Sequence, residues 1–267
     1  MIGYRAMLAA RRSPRVERAL GKWRRLRGEP PIRSVDAWLD DFVVPGKGFA
    51  DIGGMWGVDG EVAVQAAERG AEPVTIVDFF ESEAFCAKVR TRSPAVRFVQ
   101  GSVEDPVNIR TLGAVDRVWC WGVLYHHPAP GVVLGALRMI TADRLLLEAR
   151  TIPELPGMPQ AAVFWPYLPS KVARRWRSSR EAAFAQLSIE TDYDPPLAGA
   201  NNFWGLTPSA LIALARTYGF ECDQVARSPK GLQRHVFDLR AVPAPYLFGF
   251  DQRKDWSGPT PATAEPS

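Results

Sequence analysis

The chain has 267 residues, 46% hydrophobic and 23% charged, with a formal net charge of +4. That suits one large α/β domain or two small ones of ordinary globular composition, not a disordered or fibrous chain. The apolar runs around 115–124 and 143–149 are too short to span a bilayer, no apolar h-region follows the arginine-rich start, and Cys86, Cys120 and Cys222 form no CxxC pair and no spaced metal motif with the three histidines, so the expectation is a cytoplasmic, metal-free protein that makes no membrane contact.

The charge is unevenly placed. Residues 1–30 carry nine Lys/Arg against two acids, which leaves the rest of the chain slightly negative. A basic arm of this kind suits a polyanion partner or a solvated helix face. Ser13-Pro14 reads as a helix start, with a hydroxyl N-cap and proline at the first helical position. Val16, Ala19, Leu20, Trp23 and Leu26 then recur at helical spacing until Pro30-Pro31. Ser34 to Phe42 reads as a second short helix, with Val35, Trp38, Leu39 and Phe42 on one side.

Beyond Pro45-Gly46 the pattern alternates. "FADIG" is a strand, "VDGEVAVQAAERG" a helix, "PVTIVDFF" a strand, "SEAFCAKVRTR" a helix and "VRFVQGS" a strand. "DRVWCWG" is the fourth strand, "GVVLGALRMI" its helix and "DRLLLEAR" the fifth strand. Apolar strands alternating with helices predict a parallel sheet covered on both faces. Right-handed crossovers bring the strands' C-terminal ends to one edge, where ligands bind. Residues 151–206 break the alternation and are rich in proline and aromatics, with a basic helix expected over 170–187. The pattern resumes with the helix "TPSALIALARTYGF" and two strands, "FECDQVAR" and "RHVFDLRAV", joined by a Ser228-Pro229-Lys230-Gly231 turn, so the sheet ends in an antiparallel pair. Residues 257–267 read as a disordered tail.

Four signals fall at the strand ends. Asp51-x-Gly53-x-x-x-Gly57 lies between a strand and a helix, where glycine admits a close backbone approach and the helix start offers free N–H groups. The dinucleotide fingerprint G-x-G-x-x-G is not met, because Gly54, Met55 and Trp56 follow Gly53, and the phosphate loop with its Gly-Lys pair is missing. An acid just before the glycines suits a ligand that carries a cation. Asp78, ending "VTIVD", is placed to accept both hydroxyls of a ribose. "VQGSVED" and "CWGVLYHHP" follow strands three and four.

In this order the signals resemble the class I S-adenosylmethionine-dependent methyltransferases over residues 45–242. "GVLYHHP" with "PSALIALARTYGF" resembles the subgroup of tRNA wobble-uridine carboxymethyltransferases and many small-molecule methyltransferases. The resemblance implies a Rossmann-like, doubly wound, mainly parallel α/β sheet with an antiparallel last strand. N-terminal helices (1–44) precede a core of 45–150 and 207–245, with a cap insertion after strand five (151–206). It also implies S-adenosyl-L-methionine as cofactor, S-adenosyl-L-homocysteine as product, and no metal. Asp51, Gly53, Gly54 and Gly57 would face the methionine end, Asp78 the ribose and Phe79 the adenine.

Two departures stand out. Met55 replaces a frequent third glycine, and Ser102 stands where the family commonly has an aspartate for the adenine amino group. Glu104, Asp105 or the Val103 backbone then stand as substitutes. Trp121 and Tyr125 are expected beside the reacting methyl or the substrate. His126 or His127 is a candidate base, against a structural histidine that merely shapes the loop. Glu148 is either a pocket carboxylate or a sheet-end polar residue. Trp165, Tyr167, Asn201, Asn202 and Trp204 are candidates for the acceptor, since long insertions in compact domains are usually functional. The expected reaction is methyl transfer to O or N of a small molecule by a monomer or homodimer. An RNA-modifying methyl or carboxymethyl transferase that uses the basic arm, and a non-catalytic binding subunit, are the alternatives.

Overall fold

A computed structural model of the chain describes residues 32–92, 95–155, 157–164, 203–230 and 234–243. The basic arm, the expected helix over 170–187 and the tail lie outside the described residues.

Helix α1 (Val35–Phe42) starts where Ser34 accepts a bond from the Ala37 N–H at 3.1 Å, and it buries Trp38, Leu39 and Phe42. Then follow β1 (Phe49–Ile52), α2 (Glu61–Glu68), β2 (Val74–Asp78), α3 (Glu83–Arg92) and β3 (Val96–Gln100). Next come α4 (Pro106–Leu112), β4 (Val115–Trp121), a 3-10 turn over Leu124–His126, α5 (Pro130–Ile140) and β5 (Thr141–Arg150). Short strands β6 (Ala162–Phe164) and β7 (Trp204–Leu206) precede α6 (Pro208–Thr217), β8 (Phe220–Arg227) and β9 (Arg234–Ala241).

Seven strands form one sheet in the order β3-β2-β1-β4-β5-β9-β8. The pairs from β3 to β5 are parallel, and β9 is antiparallel to both of its neighbours. Strand β8 therefore runs with the parallel strands, and only β9 is reversed. A hairpin that leaves β8 at its C-terminal end must lie on the same edge as the loops after β1, β2 and β4.

Side chains alternate across each strand. Ala50, Ile52, Val118, Cys120, Leu145, Leu147 and Phe237 pack with Val133, Leu137 and Leu211 from α5 and α6. Phe49, Ile76, Trp119, Leu146 and Val236 pack on the other face with Trp38, Phe42, Val64 and Phe85 from α1, α2 and α3. Asp51 alternates with Ala50 and Ile52, so it belongs to this second face.

Two features differ from the sequence reading. Helix α4 was not anticipated: it is only seven residues long, with Ile109 and Leu112 half-buried on the core, and the residue it buries is polar, Asn108. Its signal is the cap, for Asp105 accepts from the Val107 N–H at 2.8 Å and Pro106 opens the helix. The segment expected as a cap insertion, for which no strand was expected, contributes β6 and β7, paired antiparallel. No helix among the described residues is long and apolar enough to cross a membrane.

Candidate functional site

The turn after β1 is built around Asp51. Its carboxylate is buried, and Oδ2 has no hydrogen-bond partner. Burial first, then the Asp78 charge, pushes its pKa up to about 7, against the pull of Lys230. Gly54 covers it so closely that a Cβ there would lie 2.1 Å from Asp51 Oδ2. Gly53 has φ +76°, and a Cβ on it would fall 2.4 Å from Val123 Cγ2 of the loop after β4. Glycine at both positions is what lets the turn fit between a buried carboxylate and the neighbouring loop. Gly57 is exposed, with nothing within 4 Å of a Cβ.

Asp78 ends β2 and holds the same turn. Its Oδ2 accepts from the Met55 N–H at 2.8 Å and its Oδ1 from the Phe79 N–H at 2.7 Å, while burial raises its pKa. Met55 is buried in the core shared with α1, and Trp56 sets its ring edge-on to Phe80 at 4.7 Å. The bulky pair thus splits: Met55 drops into the core and Trp56 lies along the loop after β2.

Phe79 is 63% exposed, with its carbonyl accepting from Gln100 Nε2 at 3.0 Å. After β3, Asn108 Nδ2 donates to the carbonyls of Gln100 and Ser102 at 3.2 and 2.9 Å, which fixes the turn. Val103 is buried, and Glu104 reaches His127 Nε2 at 3.1 Å.

The ends of β4, β5 and β9 carry the other half of the site. Trp121 stacks on Trp119 at 4.4 Å, and its Nε1–H is buried without a partner. Glu148 is fully buried and bonds Arg234 Nη1 at 3.1 and 3.3 Å. It is an ion-paired carboxylate, not a free base of the pocket. The Arg234 guanidinium lies 5.0 Å over the Tyr125 ring, and burial pushes the Tyr125 phenol up to about 12. His126 is exposed and packs on Tyr125 at 4.1 Å. His127 differs from a candidate base: Nδ1 accepts from the Ala129 N–H at 3.0 Å while Nε2 faces Glu104, so both nitrogens are engaged in shaping the loop. The third histidine, His235, bonds Thr151 Oγ1 at 2.7 Å, and burial, followed by Arg227, lowers its pKa to about 4.

Trp204 also departs from the expected substrate contact. Its Nε1 donates to the Pro128 carbonyl at 2.7 Å and its ring packs on Phe164 at 4.9 Å, while the Phe203 N–H donates to the Tyr125 carbonyl at 2.8 Å. It ties the end of the insertion to the "YHHP" loop. Trp165, Tyr167, Asn201 and Asn202 lie outside the described residues. Sequence reasoning missed Lys230 and Arg234. The available signal was topological, since the hairpin before a reversed last strand must fall on the ligand edge.

No protein-family model matches the chain, and no curated protein matches it. Among solved structures it is similar to a Burkholderia thailandensis 1,6-didemethyltoxoflavin-N1-methyltransferase with bound 1,6-didemethyltoxoflavin and S-adenosylhomocysteine, at 19% identity over 74% of this chain and 72% of that one, with a TM-score of 0.50. A Rhodobacter sphaeroides structure provisionally named as Zn-dependent alcohol dehydrogenases also matches, at 15% identity over 78% of this chain and 91% of that one, again with a TM-score of 0.50. A magnesium protoporphyrin IX methyltransferase from Synechocystis with bound SAH follows at 16% identity over 84% and 94%, with a TM-score of 0.48. At such identities likeness speaks for the fold, and the reaction is argued from the site. With its strand order and single reversed strand, the chain has the class I S-adenosylmethionine-dependent methyltransferase fold.

Proposed function

We propose that the chain is an S-adenosyl-L-methionine-dependent methyltransferase that acts on an O or N atom of a small molecule. The observation that carries this reading is Asp51, a buried carboxylate with an unpartnered oxygen beneath a turn of glycines. Such an orphan acceptor suits the ammonium group of the donor's amino-acid end. The donor supplies a methyl group already activated by its sulfonium.

The chain's residues then bind, orient and exclude water. Gly53, Gly54 and Gly57 keep side chains away from the turn. Asp78 steadies that turn through the Met55 N–H, accepts the Phe79 N–H with its other oxygen, and retains further lone pairs for a ribose. Phe79, Ser102, Val103 and Glu104 border the place for the adenine, and Trp121 offers its indole N–H beside β4. On the acceptor side stand Tyr125 and His126. His126, exposed and packed on Tyr125, is the candidate to take a proton from a hydroxyl or amine acceptor. In this reading residues 151–206, with Trp165, Tyr167, Asn201 and Asn202, are the insertion that serves the acceptor, and residues 1–44 the N-terminal arm. Cys86, Cys120 and Cys222 are free thiols, which supports a reducing, cytoplasmic setting.

Calorimetric titration with S-adenosylhomocysteine tests the reading. Wild-type protein binds, and Asp51→Asn, which keeps the volume and removes the charge, binds at least about tenfold more weakly. Absence of binding to the wild type, or an unchanged affinity in the variant, would overturn it.

A further inference from the structure

Lys230 belongs to the hairpin that joins β8 to β9. Buried Ser228 fixes the turn: its N–H donates to the Arg234 carbonyl at 3.0 Å, and its Oγ accepts from the Lys230 N–H at 3.1 Å. In the sheet β9 stands two strands from β4, roughly 10 Å away. Yet the Lys230 ammonium lies 5.7 Å from the centre of the ring of Trp121, the residue that ends β4. The lysine therefore leans back over the strand ends, toward the glycine turn after β1.

Polar groups on this face lack partners. Asp51 pairs in register with Trp119, and Trp121 lies two residues on, so Asp51 and Trp121 share one side of the sheet. Asp51 Oδ2 is a buried acceptor without a partner, and Trp121 Nε1–H is a buried donor without one. Lys230 has no ion pair among the described residues. Its charge reaches Asp51 and pulls down that carboxyl's pKa, while Oδ2 stays open. A cation resting over an indole ring keeps its N–H groups for a ligand. Arg234 differs: it is bonded to Glu148 and Tyr125, so its charge is already met. An acid and a cation that face each other unbonded fit a ligand that carries both charges in reverse. An α-amino acid does so on adjacent groups, an ammonium for the acid and a carboxylate for the cation. A ligand with the ammonium alone would set its own cation against Lys230.

We propose that the methyl donor's amino-acid end is read as a zwitterion: Asp51 takes its ammonium and Lys230, from the β8–β9 hairpin, takes its carboxylate. Lys230 is then a specificity residue that selects against a donor lacking the carboxylate. This rests on the methyltransferase reading and extends the donor site beyond the glycine turn. A carboxylate on the methyl acceptor would suit the same lysine, so the experiment separates the two sources.

The probes are S-adenosylhomocysteine and its decarboxylated analogue, which keeps the adenosine, the sulfur and the amine. Both are titrated calorimetrically into the full chain. The wild type binds S-adenosylhomocysteine at least about tenfold tighter than the analogue, as a charge-assisted bond requires. Lys230→Gln alters an exposed side chain and leaves the core untouched. It weakens S-adenosylhomocysteine at least about fivefold and leaves the analogue within about twofold, so the preference collapses. Lys230→Arg keeps a cation there and retains most of the preference. Asp51→Asn weakens both ligands together, since both carry the ammonium. Equal binding of the two ligands by the wild type overturns the proposal. So does a Lys230→Gln variant that weakens both alike, which would make the lysine a structural residue. An unchanged affinity for S-adenosylhomocysteine in that variant also overturns it and frees the lysine for an acceptor. If the wild type binds S-adenosylhomocysteine without regard to the carboxylate, the zwitterion site fails while the methyltransferase reading stands. If it does not bind S-adenosylhomocysteine, the reading itself fails.

Discussion

Asp51 is a carboxylate that the fold would rather keep neutral. Its pKa rises from 3.8 to about 7, chiefly because burial penalises the charge. The folded state therefore holds this proton more tightly than the unfolded state. The group costs nothing below about pH 4, and its ionisation costs the folded state more with each step up to about pH 7, reaching on the order of 4 kcal/mol above that. Asp51→Asn removes the charge, so the difference in melting temperature between variant and wild type, both without ligand, should shift in the variant's favour from pH 5 to pH 8. A difference that stays constant with pH would count against the assignment. A stabilised variant that binds the donor poorly is the usual exchange at a functional site. Asp51, Gly53 and Asp78 were legible because they sit at strand ends in a fixed spacing. Arg234 was not, because nothing local distinguishes an arginine at the head of a strand; only the reversal of β9 brings it to the site.

At the scale of elements, the loop that carries Tyr125, His126 and His127 is fastened from outside. Trp204 Nε1 and the Phe203 N–H bond its carbonyls at 2.7 and 2.8 Å. Trp204→Phe keeps a ring against Phe164 and deletes one of these bonds. The expected cost is about 1 kcal/mol. Amide hydrogen exchange over residues 124–128 should quicken while β1, β4 and β5 keep their protection. Unchanged exchange in the loop would show that the tryptophan does not hold it. The sequence made the long elements plain, since β1, β2, β4 and β5 are apolar runs and α2, α5 and α6 carry apolar periodicity. The three-residue strands β6 and β7 have no period to detect, and their pairing joins Ala162 to Leu206 across the insertion. Helix α4 reveals itself only through Asp105-Pro106.

Across the whole molecule, the sheet separates stability from chemistry by its two edges. The strand order was not written in the periodicity, which gives alternation but not adjacency; it was carried by the motif resemblance. The site lies where the parallel strands end. At the opposite edge Arg138 is buried at the end of α5, donating to the carbonyls of Gly219, Val242 and Thr141 at 3.0, 2.9 and 3.3 Å. It thereby joins the end of α6, the end of β9 and the start of β5, segments up to 104 residues apart in sequence. Replacing it with methionine keeps most of the side-chain volume and leaves these carbonyls short of a donor. Arg138→Met should lose roughly 2–4 kcal/mol in urea unfolding, with the slope unchanged. Because the bonds it breaks lie a full strand length from Asp51, affinity for S-adenosylhomocysteine, measured well below the unfolding transition, should match the wild type. A parallel loss of affinity would mean that the two edges are coupled through the sheet, and that the site depends on more than the residues that line it.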